Sequence, residues 1–443
     1  MATGRSRAST SGRRARVTAR GVALRVVRRV CEDGAYSNIA LGAELRRSAL
    51  SERDRRLAAD LTYGTIRRTL ILDSEIERAA ARPLSEIDPE AAALLRLGAF
   101  QVRFTRIPDH AAVAETVALA GPRRRGFVNA VLRTLSVAEP VRPQGHDDEA
   151  VSGRTGLAAW AVAELRRLLP ANEVEPAAEA LASPADLSLR ANRCATTPDS
   201  LVRALRDAGH EAEPGRHHPD VVHVPAGPPD RLPGYEQGWF TVQDEASALV
   251  ASAVQGRAGD RLLDACAGPG GKATYLACGT GRGGLAVAAD RSLARSELVR
   301  AAARRLGVPL RVLVQDATRP ALAFAEFDAA LVDAPCSGVG AARRRPELLW
   351  RPARDRLSEL ARAQVAILGG AADLLRPGGL LVYSVCTFPR AETDAVLRAF
   401  RRARPDFEPQ AVPGPGGPAP THRLWPHRHG TDAMFYAGLR RSG

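Results

Sequence analysis

The chain is 443 residues long, 45% hydrophobic and 25% charged, which is enough for two or three ordinary cores at roughly 100–200 residues each. Its 63 lysines and arginines against 49 acids leave a net charge of +14, a field that draws a polyanionic partner through release of counterions at phosphates. No apolar run reaches the about 18 residues of a membrane span, and the six scattered cysteines have neither zinc spacing nor the density of a secreted disulfide scaffold, so membrane, metal-cluster and secreted mini-protein classes are excluded.

Residues 1–15 are rich in Arg, Ser, Thr and Gly and read as a disordered basic arm. With no acid before Glu32 and no apolar segment, this end is not a secretory signal. Residues 16–138 carry helical spacing in Val22, Leu24, Val26, Val27 and Val30, and again in Leu94, Leu95, Leu97 and Phe100. Breaks at Gly34, Arg82-Pro83 and Ile107-Pro108-Asp109 predict five to seven helices, one opened by Ser51 as N-cap. Arg123, Arg124 and Arg125 would give the last of them a basic corner.

Residues 139–156 mix Pro, Gly, His and acids and read as a linker. Residues 157–235 form a small α+β segment, with a strand at 187–192 and a helix over 197–208. From 236 to 443 strands and helices alternate, as in a doubly wound parallel sheet. Strands are predicted at 261–264, 285–289, 310–314, 329–332 and 380–384, and helices near 244–255, 272–278, 293–306, 354–375 and 390–402. Leu424-Trp425-Pro426 and 434–439 would close the sheet as a strand pair.

Three motifs of this last region carry chemistry. Asp264-Ala265-Cys266-Ala267-Gly268-Pro269-Gly270-Gly271-Lys272 is a glycine-rich turn between a strand and a helix, where backbone can approach a nucleotide-like ligand. It matches neither the dinucleotide nor the P-loop spacing. The chain's single lysine lies inside it, in a protein that otherwise uses arginine, so a compact ammonium is wanted there. Asp290, Asp316 and Asp333 each close a predicted strand and form an acidic row along the carboxyl edge, where open α/β sheets bind ligands. Such a row suits a cofactor with positive charge and ribose hydroxyls, as S-adenosylmethionine has. NAD would fit the ribose acid but leave the thiols idle. Asp333-Ala334-Pro335-Cys336-Ser337-Gly338 and Tyr383-Ser384-Val385-Cys386-Thr387-Phe388 each bring a cysteine to a strand end. From the residues alone either thiol can be the nucleophile.

These three motifs resemble the RNA cytosine-5 methyltransferase superfamily. Asn38-Ile39-Ala40-Leu41, Tyr63-Gly64-Thr65-Ile66-Arg67 and Phe127–Arg133 are similar to the NusB-like domain of its Sun/Fmu branch, which methylates small-subunit ribosomal RNA. Val242-Gln243-Asp244-Glu245-Ala246-Ser247 and Pro426-His427-Arg428-His429-Gly430-Thr431-Asp432 resemble it as well. The resemblance implies a multidomain chain: a NusB-like all-α bundle, a small α+β RNA-binding segment and a Rossmann-like α/β methyltransferase domain. It implies S-adenosylmethionine held by Cys266, Ala267, Gly268, Pro269, Gly270, Gly271 and Lys272, with Asp290, Asp316 and Asp333 completing the pocket. Cys386 becomes the nucleophile, Cys336 the releasing thiol, and Asp333 the partner of the cytosine edge. Two departures stand out: Gly268 replaces an alanine, and Pro389-Arg390-Ala391-Glu392 stands where relatives carry Pro-Glu-Glu-Asn.

Arg343, Arg344, Arg345 and Trp350 are expected to hold RNA by phosphate pairing and stacking, with Arg123, Arg124 and Arg125. The remaining cysteines, 31, 194 and 278, are expected to be reduced packing thiols. The protein is expected to be a cytoplasmic monomer acting on small-subunit ribosomal RNA without a metal. The same chemistry on tRNA or large-subunit RNA, or a non-catalytic RNA-binding assembly factor, are the competing readings.

Overall fold

The computed structural model describes residues 17–225, 227–281, 283–322, 326–351 and 354–443; the basic arm expected over residues 1–15 lies outside them. The chain divides into two compact units: one runs to Pro143 and includes Arg345–Glu347, and the other comprises Gln144–Arg344 and Leu348–Gly443.

Among its described residues the first unit contains seven α-helices, α1 (Ala19–Cys31), α2 (Ser37–Arg47), α3 (Glu52–Arg67), α4 (Thr69–Ala80), α5 (Pro89–Phe104), α6 (Asp109–Leu119) and α7 (Pro122–Val137). Ser51 caps α3 by accepting from Asp54 N at 3.2 Å, which satisfies one of the free N–H groups of the first turn. The apolar stripes converge on a core built from Leu61, Leu72, Ile76, Leu94, Leu97, Phe100, Val128 and Leu132. Gly64 explains part of the Tyr63–Arg67 motif: a Cβ there would come within 2.0 Å of the Phe100 ring. The glycine lets α3 and α5 approach closely.

The second unit begins with α8 (Asp148–Thr155), α9 (Ala159–Arg166) and α10 (Ala171–Leu181). Helix α8 lies in the stretch read as linker; Asp147 starts it by accepting from Ala150 N at 2.8 Å, a cap that the surrounding Pro and Gly conceal. A four-stranded sheet follows, β1 (Leu187–Ala191), β2 (Glu213–Pro214), β3 (Val221–Val224) and β4 (Phe240–Val242), in the order β2-β3-β1-β4. Helix α11 (Pro198–Asp207) packs on it, capped by Thr197.

The rest is the large sheet with α12 (Glu245–Ser252), β5 (Arg261–Asp264), α13 (Gly271–Gly279), β6 (Leu285–Asp290), α14 (Leu293–Leu306), β7 (Arg311–Val314), β8 (Phe327–Asp333), α15 (Leu357–Asp373), β9 (Leu375–Val385), α16 (Asp394–Ala403), β10 (Phe407–Gln410), β11 (Thr421–Leu424), α17 (Pro426–His429) and β12 (Met434–Arg441). Its order is β10-β12-β9-β8-β5-β6-β7, with β11 on β12. Strands β5 to β9 pair in parallel, and β12 runs antiparallel to β9. The chain order reverses between β5 and β8, so the ligand crevice of such a sheet opens at their carboxyl ends. The expected strand through Trp425 and Pro426 is corrected: β11 stops at Leu424, and Pro426, which lacks a ladder N–H, opens α17 instead. The helix expected to open at Arg390 begins only at Asp394, after a single 3₁₀ turn.

Cys194 and Cys278 are also corrected. They are joined as a disulfide, with Cα atoms 5.8 Å apart across 84 residues of sequence. The fold lays the end of β1 against the end of α13, a proximity that no local spacing announces.

Candidate functional site

The glycine turn leaves β5 at Asp264 and enters α13 at Gly271. Ala267 N donates to Ala289 O at 2.9 Å and Gly270 N to Ala267 O at 2.7 Å, so the turn is pinned to the end of β6. Gly270 has φ +115°, a backbone conformation that side chains oppose. Gly268 N donates to the Asp290 carboxylate at 3.1 Å, and Arg295 donates back to Gly268 O. A Cβ on Gly268 would come within 2.6 Å of both Asp290 and Arg295, so the glycine is what lets the turn close on this pair.

Asp264, Asp290 and Asp333 end β5, β6 and β8 side by side. Asp264 is 1% exposed and its Oδ2 has no hydrogen-bond partner. Burial first, and the Asp333 charge second, push its pKa up to about 7. Asp316 stands apart: it lies past the end of β7, and its carboxylate accepts from Thr318 N at 2.9 Å and Thr318 Oγ1 at 2.8 Å. These two bonds hold it below the usual carboxylate range.

Lys272 Nζ donates to Asp333 Oδ2 at 2.7 Å, and Ser384 Oγ donates to Oδ1 at 2.8 Å. Burial works against the Lys272 charge, but Asp333, and more weakly Cys386 and Asp264, outweigh it and raise the ammonium's pKa. The lysine therefore stays charged beside both a carboxylate and a thiol.

The two cysteine loops meet. Cys336 Sγ and Cys386 Sγ are 3.5 Å apart. The hydrogen bond with Cys386 first, and burial second, push Cys336 well above the normal thiol range, and either sulfur can donate in this contact. Gly340 N donates to Cys386 O at 3.1 Å, and Ser337 Oγ is 2.7 Å from Thr387 Oγ1. Glu392 ties the pair from below: it accepts from Ser337 N at 2.9 Å, from Ser337 Oγ at 2.5 Å and from Gln364 Nε2 at 3.0 Å. The same Gln364 amide donates to Pro335 O at 2.9 Å. Glu392 is fully buried, and burial raises its pKa against these bonds. Thus the segment that departs from Pro-Glu-Glu-Asn still supplies a buried carboxylate that holds the Cys336 loop.

Gly340 tests how tightly the loops are set. A Cβ there would lie 2.0 Å from Ala433 O and 2.9 Å from Cys386 O. Both contacts are backbone and cannot swing away. Gly340→Ala is expected to cost about 3 kcal/mol through overpacking and to lower the melting transition, which differential scanning calorimetry would register; an unchanged transition would mean that the loops are loosely held.

Cys266, Ala267, Gly268, Pro269, Gly270, Gly271, Lys272, Asp290, Asp333, Cys336 and Cys386 thus fall along one sheet edge. The candidate RNA residues are scattered. Arg123, Arg124 and Arg125 open α7, and Arg124 pairs with Asp88 at 2.5 Å and with Glu90 at 3.4 Å. Arg343 donates to Gly430 O at 2.5 Å. Arg344 is half-buried and pairs with Asp244 at 2.8 Å and Asp432 at 3.3 Å. Arg345 lies over the Tyr36 ring at 4.3 Å, and Trp350 packs against the cluster around Val339, Leu349 and Trp425. Sequence reasoning passed over Ser384 and the anchoring role of Glu392. Ser384 could have been found as a polar residue inside a buried strand, two positions before Cys386 and so on the same face.

The donor set fits a cationic, ribose-bearing cofactor. Acids close three neighbouring strands, one carboxylate oxygen is buried without a partner, and glycines open the turn beside them. Comparison with known proteins agrees. The 16S rRNA methyltransferase RsmB/F model matches residues 251–440, the NusB family model 17–136, and the RsmF/B-like ferredoxin-like domain 157–229. The Mycobacterium tuberculosis protein Rv1407, named as a methyltransferase, is 40% identical over 96% of each chain. The ribosomal RNA small subunit methyltransferase B of Vibrio cholerae is 32% identical over 94% of this chain and 97% of its own. The crystal structure of PH0851 shares the fold with a TM-score of 0.84 at 23% identity, covering 96% of this chain and 99% of that one. With its helical, ferredoxin-like and catalytic regions all matched, the chain belongs to the RsmB/F family of rRNA methyltransferases.

Proposed function

We propose that the protein transfers a methyl group from S-adenosylmethionine to carbon 5 of a cytosine in 16S ribosomal RNA, through a transient bond between Cys386 and carbon 6. The observation that carries this reading is the thiol pair 3.5 Å apart beside the Lys272–Asp333 ion pair, at the mouth of the glycine turn. Carbon 5 of cytosine is a poor nucleophile. Addition of the Cys386 thiolate to carbon 6 makes carbon 5 enamine-like and divides one hard step into two easier ones. Asp333, held on both oxygens by Lys272 and Ser384, presents its remaining lone pairs to the amidine edge of the base. When bound, S-adenosylmethionine supplies an electrophilic methyl group. Asp290 would hold its ribose hydroxyls, and Asp264 would face its cationic part. Once carbon 5 is methylated, water or another base takes its proton, the electrons of that C–H bond restore the 5,6 double bond and the carbon 6–sulfur bond breaks, with Cys336 assisting by donating a hydrogen bond to Cys386 as it leaves as thiolate. The target base must leave any helix to reach these groups. A ribosomal RNA substrate places the work in the cytoplasm, where ribosomes are assembled.

The test is methyl transfer from labelled cofactor to isolated small-subunit RNA, followed by bisulfite sequencing. A new bisulfite-resistant cytosine in 16S RNA is the expected result; label confined to tRNA, to large-subunit RNA or to another base position would overturn the assignment. Lys272→Met adds a pH signature. A neighbouring cation favours the thiolate form, so its loss should slow the reaction by about 10- to 100-fold at neutral pH, with part of the loss recovered as pH rises. A uniform loss at every pH between 6 and 9 would assign the lysine to packing alone.

A further inference from the structure

Arg190 lies on β1 in the small sheet, is 2% exposed, and belongs to the largest fully buried side chains of the protein. All its hydrogen-bond partners are neutral. Nε donates to Gln243 Oε1 at 2.6 Å, Nη1 to Ala191 O at 3.4 Å, and Nη2 to Gly271 O at 3.2 Å and Thr274 Oγ1 at 3.1 Å. The guanidinium also stands 5.3 Å from the centre of the Tyr275 ring. Burying a cation without a carboxylate at hydrogen-bond distance is costly. Burial lowers its pKa to about 10, against Tyr275 and Asp220, so it remains charged near neutrality.

What it grips is the first turn of α13. Gly271 O belongs to the peptide that leads into Lys272, the residue that holds Asp333. The Gln243 amide, oriented by Arg190, packs over Gly271 at 3.6 Å from where a Cβ would stand. A planar guanidinium with a fixed fork of donors is suited to lock such a turn, and a lysine would reproduce its charge but not the fork.

We propose that Arg190 is a positioning residue through which the ferredoxin-like sheet sets the cofactor turn. It acts by fixing the Gly271–Lys272 peptide and, through it, the ammonium beside Asp333. The inference rests on the reading that this turn binds S-adenosylmethionine. Asn192, two residues further on, provides an internal control. Its amide donates to Gly238 O at 2.8 Å and to Leu306 O at 2.7 Å, so it ties the same strand end to the catalytic region without touching the turn.

The experiment compares the intact chain with Arg190→Met, Arg190→Lys and Asn192→Ala by calorimetric titration with S-adenosylhomocysteine, steady-state kinetics and melting. Arg190→Met should weaken S-adenosylhomocysteine binding by about tenfold and raise KM for S-adenosylmethionine more than it lowers kcat, with KM for RNA unchanged. Arg190→Lys should recover part of the loss and serves if the Met variant does not fold. Asn192→Ala should lower the melting temperature yet bind S-adenosylhomocysteine like the unaltered chain. Equal loss of binding in the Asn192 and Arg190 variants, or unaltered binding in both Arg190 variants, overturns the proposal. Failure of the unaltered chain to bind S-adenosylhomocysteine would instead overturn the reading of the turn as a cofactor site.

Discussion

Cys386→Ala is expected to lower methyl transfer by about 10⁴-fold or more while leaving cofactor and RNA affinity within about twofold. The size follows from the role: removing a covalent nucleophile removes a reaction path rather than one contact along it. The neighbourhood is built around that one sulfur. Cys336 lies 3.5 Å away with its thiol pKa raised, Lys272 adds a positive charge nearby, and the carbonyl of Cys386 is fixed by Gly340 N. Alanine keeps that backbone bond and removes only the reactive atom, so the variant should fold and bind normally. Single-turnover transfer to small-subunit RNA is the measurement. Activity within about tenfold of the unaltered protein would eliminate Cys386 as nucleophile.

Cys336→Ala should produce the opposite failure. Attack by Cys386 remains available, because the alanine leaves Asp333, Lys272 and the Ser337–Glu392 anchor in place. Release is what suffers, so the enzyme should stall after methyl transfer, and protein should accumulate in covalent linkage to RNA. Turnover should fall by about 10²-fold or more, the range of a lost acid–base group. The double variant, lacking both thiols, should form no such species. A Cys336→Ala enzyme that binds RNA and turns over freely would remove the release role, whatever the fate of Cys386.

Much of this architecture is legible in the residues. Strand β5 and helix α14 fall where an apolar run closed by Asp264, and a segment opened by Ser292 and closed by Gly307, place them. The glycine turn, the acids ending β5, β6 and β8, and both cysteines follow from such strand ends. What escapes is whatever depends on contacts distant in sequence. Strand β9 starts at Leu375, earlier than expected, because Pro377, Gly378 and Gly379 read as a turn but are carried within an irregular stretch of its pairing with β8. Asp316 lies just past the end of β7 with its carboxylate folded back on Thr318, a turn that local patterning does not separate from an acid that ends a strand. The Cys194–Cys278 bond, the reach of Arg190 to Gly271 across 81 residues, and the pairing of Arg344 with Asp244 exist only once the chain is folded. Glu392 is the instructive case: its sequence neighbourhood departs from the family pattern, and only its burial beneath Ser337 and Gln364 shows what it supports.

The central claim is that Cys386 carries the RNA during catalysis and Cys336 lets it go. The direct measurement is peptide mapping by tandem mass spectrometry of the Cys336→Ala protein after incubation with S-adenosylmethionine and small-subunit RNA, denaturation and nuclease digestion. The account predicts one modified peptide, with a methylated cytidine nucleotide attached at Cys386. A nucleotide attached to any other residue, or no attached nucleotide while RNA binding is intact, would contradict it.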